Sequence, residues 1–212
     1  MEDKVDVIVP CRDERVDVVW CVIRSCLSLE FTNSVIFVDD GSKVEYRFPQ
    51  MEKLISIRNS VSIGKTASVL RALEYVSTDF VALQDADWEY PVENLKNLYY
   101  HIKPKRMVVA KRFVPIDKLS LSGYIANRVI RFFTKEPDTF SGQRIVPVEL
   151  LKKINPSGSF TLETSLTLMA RKMGMEVLYV DSLYYPRGYS EGKKAKPWHM
   201  LPILLEVWRA RR

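Results

Sequence analysis

The chain has little of what staples or anchors a small protein. It has only three cysteines, at positions 11, 21 and 26, an odd number lying close together. No C-x-x-C pair and no Cys/His spacing suited to a metal is present, so reduced cytosolic thiols are the simplest expectation. No apolar run approaches the ~18–20 residues of a membrane span. The opening Met1-Glu2-Asp3-Lys4 leads straight into a strand pattern, without the apolar stretch of a secretory signal. Internal repeats, low-complexity tracts and dividing linkers are also lacking. A single domain over residues 1–212, with room for a sizeable core, is therefore expected.

What is present is ordinary in bulk and uneven in detail. Apolar residues make up 47% and charged residues 27%, as in soluble globular proteins. The net charge is +6, and the segment 187–212 holds seven basic residues against Glu191 and Glu206, which places +5 there. Such a tail favours phosphate, nucleic acid or an anionic membrane surface, or is simply a solvated basic end.

Apolar periodicity predicts strands over 5–9 (ended by Pro10), 35–38, 54–57, 80–84, 107–110 and 176–180. Helices are predicted over 14–29, 64–76, from Pro91 to about 102, and over 161–173, with a short strand and helix across 145–154. This alternation implies an α/β fold with a mostly parallel sheet covered on both faces. Segments 119–134 (LSLSGYIANRVIRFFT) and 198–209 mix aromatic and aliphatic residues with arginine. They suit either an interfacial membrane helix or an amphipathic helix packed on the core.

Three strand ends carry acids or polar turns: Pro10-Cys11-Arg12-Asp13-Glu14, Val38-Asp39-Asp40-Gly41-Ser42, and the stretch from Gln84 to Glu89. In a parallel sheet these ends share one edge, where open α/β folds bind their ligands. If the strand before Asp85 continues extended, Asp85, Asp87 and Glu89 point to one side and present three carboxylates to one point. Carboxylates so placed call for a cation, and hard oxygen ligands suit Mg²⁺ or Mn²⁺. The alternatives are an acidic turn capping the next helix and, for Asp39-Asp40, a turn with a helix cap. Residues 59–66 (NSVSIGKT) nearly match a phosphate-binding loop, with Asn59 in place of its first glycine. An NTPase built on Gly64-Lys65-Thr66 is therefore a second reading.

The segments VIVPCRDE, VIFVDDGS, IGKTASVLRALE, FVALQDADWEYP and AKRF, in that order, resemble a family-2 glycosyltransferase of GT-A fold. DTFSGQRIV, SFTLETSL and YYPRGYSEGKK are similar to the dolichol-phosphate mannose synthase branch and related polyprenyl-phosphate glycosyltransferases. The resemblance runs from about residue 5 to 194. It implies a donor-binding half over 1–113, an acceptor-side half over 114–196 and a C-terminal amphipathic helix over 197–212. By position, Pro10, Arg12, Glu14, Asp39 and Asp40 would line the nucleotide pocket, with Lys65 near it. Asp85, Asp87 and Glu89 match a D-x-D-x-(Q/E) site for Mg²⁺ or Mn²⁺ that holds the donor diphosphate. Arg112, Arg128, Arg187 and Lys193 match basic positions that meet donor and lipid phosphates. Asp138, Ser141 and Gly142 match a D-x-x-S-G segment on the sugar side, and Glu163 an acidic position near sugar or acceptor. Trp88 and Glu89 stand where Leu and Gln are frequent, and Lys111-Arg112 where Ser-Arg is.

The activity so implied is metal-dependent, inverting transfer of mannose or glucose from a donor of GDP-mannose or UDP-glucose type to a polyprenyl or dolichyl phosphate. A lipid phosphate is already ionised at neutral pH and needs no general base, whereas an alcohol acceptor would. A cytoplasmic protein is expected, either free or at the membrane's cytoplasmic face through peripheral contact or a membrane partner, with no nucleic-acid partner. A non-lipid acceptor and a non-catalytic nucleotide or nucleic-acid binding module are the remaining alternatives.

Overall fold

A computed structural model describes residues 3–112, 134–154 and 161–187, together with residues 128, 131 and 132. The helix expected over 198–209 and Lys193 lie outside the described residues, and so does almost all of 119–134.

Seven strands form one sheet: β1 (Val5–Cys11), β2 (Thr32–Asp39), β3 (Leu54–Arg58), β4 (Phe80–Leu83), β5 (Arg106–Arg112), β6 (Arg144–Pro147) and β7 (Glu176–Ser182). Their spatial order is β3-β2-β1-β4-β6-β5-β7. All neighbours run parallel except β6, which is antiparallel to both β4 and β5. The helices are α1 (Val16–Leu27), α2 (Lys65–Ala72, followed by a 3₁₀ turn to Tyr75), α3 (Asn94–Tyr99), α4 (Val148–Leu151) and α5 (Leu162–Lys172).

Side chains alternate across the pleat, so each central strand feeds two cores. Val7 and Val9 of β1, Val35 and Phe37 of β2, and Ala82 of β4 pack with Val19, Val22 and Ile23 of α1 and Leu95 and Leu98 of α3. On the opposite face Ile8, Ile36, Val38 and Val81 pack with Val69 of α2, Leu150 of α4 and Leu162 and Leu166 of α5. Each fully buried branched side chain contributes about 1.5–3 kcal/mol relative to exposure.

Two expectations are corrected. Pro10 does not end β1, which continues to Cys11. Ile8 accepts a hydrogen bond from Gln84 of the β4 segment, and Cys11 accepts one from Asp40 after β2. Position 10 therefore faces the β4 side, where pairing stops at Ile8–Leu83, and proline's missing N–H removes no ladder bond. The helix expected from residue 14 begins instead at Val16, because Asp13 adopts a left-handed φ of 51° and Glu14 is held in the loop by Tyr46.

The chain steps outward from β1 to β2 and β3, then crosses back to place β4 on the other side of β1. That reversal opens a crevice at the carboxyl ends of β1 and β4, the place where such sheets bind ligands. Because β6 is antiparallel, its first residue, Arg144, pairs with Leu83 at the end of β4. This delivers the segment 138–143 to the same edge.

Candidate active site

The three strand-end clusters do converge. The Asp13 amide donates to Ser42 Oγ (2.9 Å), and the Lys43 amide donates to Asp13 Oδ1 (2.8 Å). Arg12 is exposed and donates through Nη1 to Ser62 Oγ (2.8 Å), whose hydroxyl lies 2.7 Å from Asp40 Oδ2. Tyr46 fixes Glu14 twice, accepting from its amide (2.8 Å) and donating to its carbonyl (2.6 Å).

The acidic stretch after β4 departs from the extended geometry expected of it. Strand pairing stops at Leu83, the chain turns at Ala86–Asp87, and Trp88 takes a left-handed φ of 61°. The three carboxylates therefore stay near one another but take different cation partners. Asp85 pairs with Lys65 at 2.6 Å. Asp87 and Glu89 turn to Arg187, at 2.7 Å and 3.4 Å, and Arg187 also pairs with Glu14 at 2.9 Å. Lys65 reaches on to Glu163 of α5 at 2.7 Å. Two cations thus stand among five carboxylates: Lys65 between Asp85 and Glu163, and Arg187 among Glu14, Asp87 and Glu89.

Burial, with Asp85 and Glu89 close by, pushes the Asp87 carboxyl up to about 7 despite Arg187. Burial would lower the Lys65 ammonium, but Asp85 and Glu163 hold it above its ordinary value. Among the described residues no three His, Cys, Asp or Glu side chains stand together as a ready metal cage. The donor set still suits a hard divalent ion. With all five carboxylates ionised the cluster carries three negative charges in excess, which a bound cation would offset.

Asp39 and Asp40 lie at the β2 end with their oxygens engaged by the neighbouring loop. Asp39 accepts from the Ser42 amide (2.9 Å) and pairs with Arg58. Asp40 accepts from the Ile63 and Gly64 amides (2.8 and 3.0 Å), Asn59 Nδ2 (2.9 Å) and Ser68 Oγ (3.0 Å). Burial alone would raise the Asp40 carboxyl, but these bonds hold it low. The amides at the start of α2, which a phosphate-binding loop would turn to its ligand, therefore face a carboxylate. This arrangement counts against the NTPase reading.

The segment 138–143 is the far wall. Asp138 takes a two-pronged bond from Arg112 (Nε to Oδ2 2.8 Å, Nη2 to Oδ1 2.7 Å) and bonds from the Arg112 and Phe140 amides. Burial opposes the charge on both partners, and each outweighs it for the other, so Asp138 is lowered and Arg112 raised. The Arg112 guanidinium lies 5.4 Å from the centroid of the Tyr184 ring. Ser141 is fully buried, and its hydroxyl donates to the Gln143 carbonyl (3.3 Å). Gly142 packs directly on the acidic motif: a Cβ there would collide with Asp85 Oδ2 and lie 3.1 Å from its Cγ. Arg128 is an exposed residue in helical conformation.

Sequence reasoning missed Arg144 and a row of buried amides. Gln143 Nε2 donates to Gln84 Oε1 (2.6 Å), and Asn94 Nδ2 donates to Gln143 Oε1 (3.0 Å) and to the Leu183 carbonyl (2.9 Å). This row clamps the turn that carries Asp85–Glu89. The available signal was a polar pair, Gln143-Arg144, set directly against the apolar Ile145-Val146.

A family model described as "Glycosyl transferase family 2" matches residues 6–154, from β1 past the far wall of this site. The chain belongs to that family. It is a glycosyltransferase of GT-A fold. Glucosyl-3-phosphoglycerate synthase from Mycobacterium tuberculosis, in complex with uridine diphosphate, is 15% identical, with a TM-score of 0.76, 98% of this chain and 80% of that one covered. The same enzyme with Mn²⁺, UDP-glucose and phosphoglyceric acid superposes with a TM-score of 0.72 at 14% identity, covering 97% of this chain and 80% of that one. Mannosyl-3-phosphoglycerate synthase from Rubrobacter xylanophilus gives 0.76 at 17% identity, covering 99% of this chain and 74% of that one. At such identities the likeness carries the fold alone. No curated protein sequence matches. Among the described residues no helix is long and apolar enough to cross a membrane.

Proposed function

We propose that this glycosyltransferase moves a hexose, mannose or glucose, from a nucleotide-sugar donor to a polyprenyl or dolichyl phosphate, with inversion at the anomeric carbon. The observation that carries the reading is the cluster of Glu14, Asp85, Asp87, Glu89 and Glu163 around Lys65 and Arg187 at the crevice between β1 and β4. Pro10, Arg12, Asp39 and Asp40 frame the base and ribose pocket through the loops they order. Asp85, Asp87 and Glu89 would hold Mg²⁺ or Mn²⁺. That ion, when bound, offsets charge on the leaving diphosphate.

The chain's own groups do the rest. Lys65 and Arg112 keep positive charge beside the departing nucleotide, which is electrostatic stabilisation of the transition state. Arg128, Arg187 and Lys193 receive the acceptor phosphate, for which guanidinium forks are suited. One ionised phosphate oxygen forms the new bond to the anomeric carbon as the bond to the donor's diphosphate oxygen breaks, and no proton has to move. Asp138, Ser141 and Glu163 shape the sugar side. Exposed Trp88, Leu183 and Tyr185 lie close in sequence to Asp87 and Arg187 and offer apolar surface to a lipid, favouring an amphiphilic acceptor at a membrane's cytoplasmic face.

A second reading, a small phosphorylated acceptor such as phosphoglycerate, is favoured by what the structural neighbours bind. A panel of labelled nucleotide sugars with Mg²⁺ or Mn²⁺ decides between them, offering a short polyprenyl phosphate or 3-phosphoglycerate. Label passing into the organic phase with inverted configuration is expected. Label confined to a water-soluble phosphorylated product would select the second reading. Retained configuration, or full activity of Asp87→Ala, would overturn the mechanism or the metal role.

A further inference from the structure

Arg144, the first residue of β6, is completely buried, and none of its hydrogen bonds goes to a carboxylate. Nε donates to the Ser141 carbonyl (3.1 Å), which Nη2 also contacts. Nη1 donates to the Glu163 carbonyl (2.9 Å) and Thr167 Oγ1 (3.3 Å), with Met107 Sδ at 3.8 Å. Among the described residues no ion pair satisfies it. Burial pulls its pKa below the ordinary arginine value, with the charge of Glu163 the largest opposing influence. A cation buried this way is costly, and an apolar residue of similar volume is often the more stable choice. Its placement therefore calls for a reason other than stability.

The two acceptor carbonyls supply one. Ser141 immediately precedes Gly142, whose backbone is packed on Asp85. Glu163 sends its carboxylate to Lys65, which grips the same Asp85 at 2.6 Å. Both arms from Arg144 thus end on the first carboxylate of the acidic motif, one by van der Waals contact and one through an ion pair.

We propose that Arg144 is a positioning residue: by bridging the 138–143 segment to the first turn of α5, it sets where Asp85 and Lys65 stand, and so tunes the site for metal and nucleotide. The role rests on the transferase reading, but part of its test does not. Lysine at 144 keeps the charge and cannot span two carbonyls on separate segments, whereas methionine removes both charge and donors. Leu150→Ala opens the core on the same face of the sheet and removes no hydrogen bond of either arm, and serves as the control for destabilisation alone.

Lys65 is the metal-free reporter. Its ammonium is held by two carboxylates, so acylation by an N-hydroxysuccinimide ester, mapped by peptide mass against exposed Lys105, should be slow in the wild type. Arg144→Lys and Arg144→Met are expected to raise Lys65 labelling at least threefold and to weaken Mn²⁺–UDP binding about tenfold by calorimetry. Leu150→Ala should change neither while lowering the melting temperature. Unchanged Lys65 labelling in both Arg144 variants, or an equal rise in Leu150→Ala, overturns the proposal. If both Arg144 variants are insoluble, Thr167→Val, which removes the hydroxyl that receives Nη1 and itself donates to the Glu163 carbonyl (2.9 Å), must raise the labelling, and no rise overturns the proposal. Wild-type protein that binds neither Mn²⁺ nor nucleotide would count against the transferase reading, while the labelling result still decides the positioning role.

Discussion

Gly142→Ala tests the site with the smallest change available. The added Cβ would collide with Asp85 Oδ2 and lie 3.1 Å from Asp85 Cγ and 3.4 Å from Lys65 Nζ. Gly142 is not in the left-handed region, so alanine suits its backbone, and the substitution should itself stabilise by ~0.4–1 kcal/mol through the unfolded chain. Overpacking works against this by about 1–3 kcal/mol. The net destabilisation is then roughly 0–2.5 kcal/mol, a fall in melting temperature of up to ~10 °C for a domain of this size. Function should suffer far more. Relieving the clash needs Asp85 to move by on the order of 1 Å, and a displacement of that size at a reacting centre can cost ~10²-fold in rate. Thermal unfolding followed by dye fluorescence, beside turnover of labelled nucleotide sugar, separates the two effects. A variant at least tenfold slower yet still folded at the assay temperature is expected. A variant with wild-type turnover would refute the claim that Asp85 is held by this contact.

Three further outcomes are expected. Lys65→Met should destabilise the protein by about 1–3 kcal/mol, since Asp85 and Glu163 lose their shared cation, and its effect should be non-additive with Glu163→Gln by more than ~0.5 kcal/mol in a double-mutant cycle. Asp6 is buried, and hydrogen bonds from Ser34, Asn33, Ser77 and Thr78 outweigh that burial and hold its pKa below the unfolded value. The wild type's advantage over Asp6→Asn in denaturant melts should therefore be full above about pH 4 and shrink as pH falls through the folded pKa. Tyr46→Phe, which removes both bonds to the Glu14 backbone, should cost about 1–2 kcal/mol in denaturant unfolding and raise the KM for donor.

The sheet was legible in the sequence because its strands are buried on both faces and read as unbroken apolar runs, as in Val35-Ile36-Phe37-Val38. The convergence of the residues after β1, β2 and β4 followed from their being parallel neighbours. Local pattern could not show what lies across the crevice. Nothing local reveals that Arg112 and Asp138, 26 positions apart, pair with each other. The even spacing of Asp85, Asp87 and Glu89 suggested one shared face, yet pairing ends at Leu83 and a left-handed Trp88 breaks the alternation. The NSVSIGKT segment looked ready for phosphate because nothing local reveals that Asp40, more than 20 positions earlier, already holds its amides.

The contacts that assemble the site are long in sequence and polar in kind: Lys65 meets Glu163 across 98 positions, and Arg187 meets Glu14 across 173. This follows from where they sit. At the carboxyl edge the strands have ended, so ladder hydrogen bonds no longer fix the backbone, and the charged residues of the site lie outside both apolar clusters. Burial is non-directional and would not aim a carboxylate. Charge-assisted hydrogen bonds are shorter, stronger and directional, and in a partly dry crevice they are screened less than at the surface. The fold therefore rests on β1, β2 and β4 packed between α1 and α2, while the site rests on two cations and the segments they reach. Disabling Lys65 or Arg187 should thus disperse the carboxylates while the core stays intact, and loss of activity should exceed loss of stability at both positions.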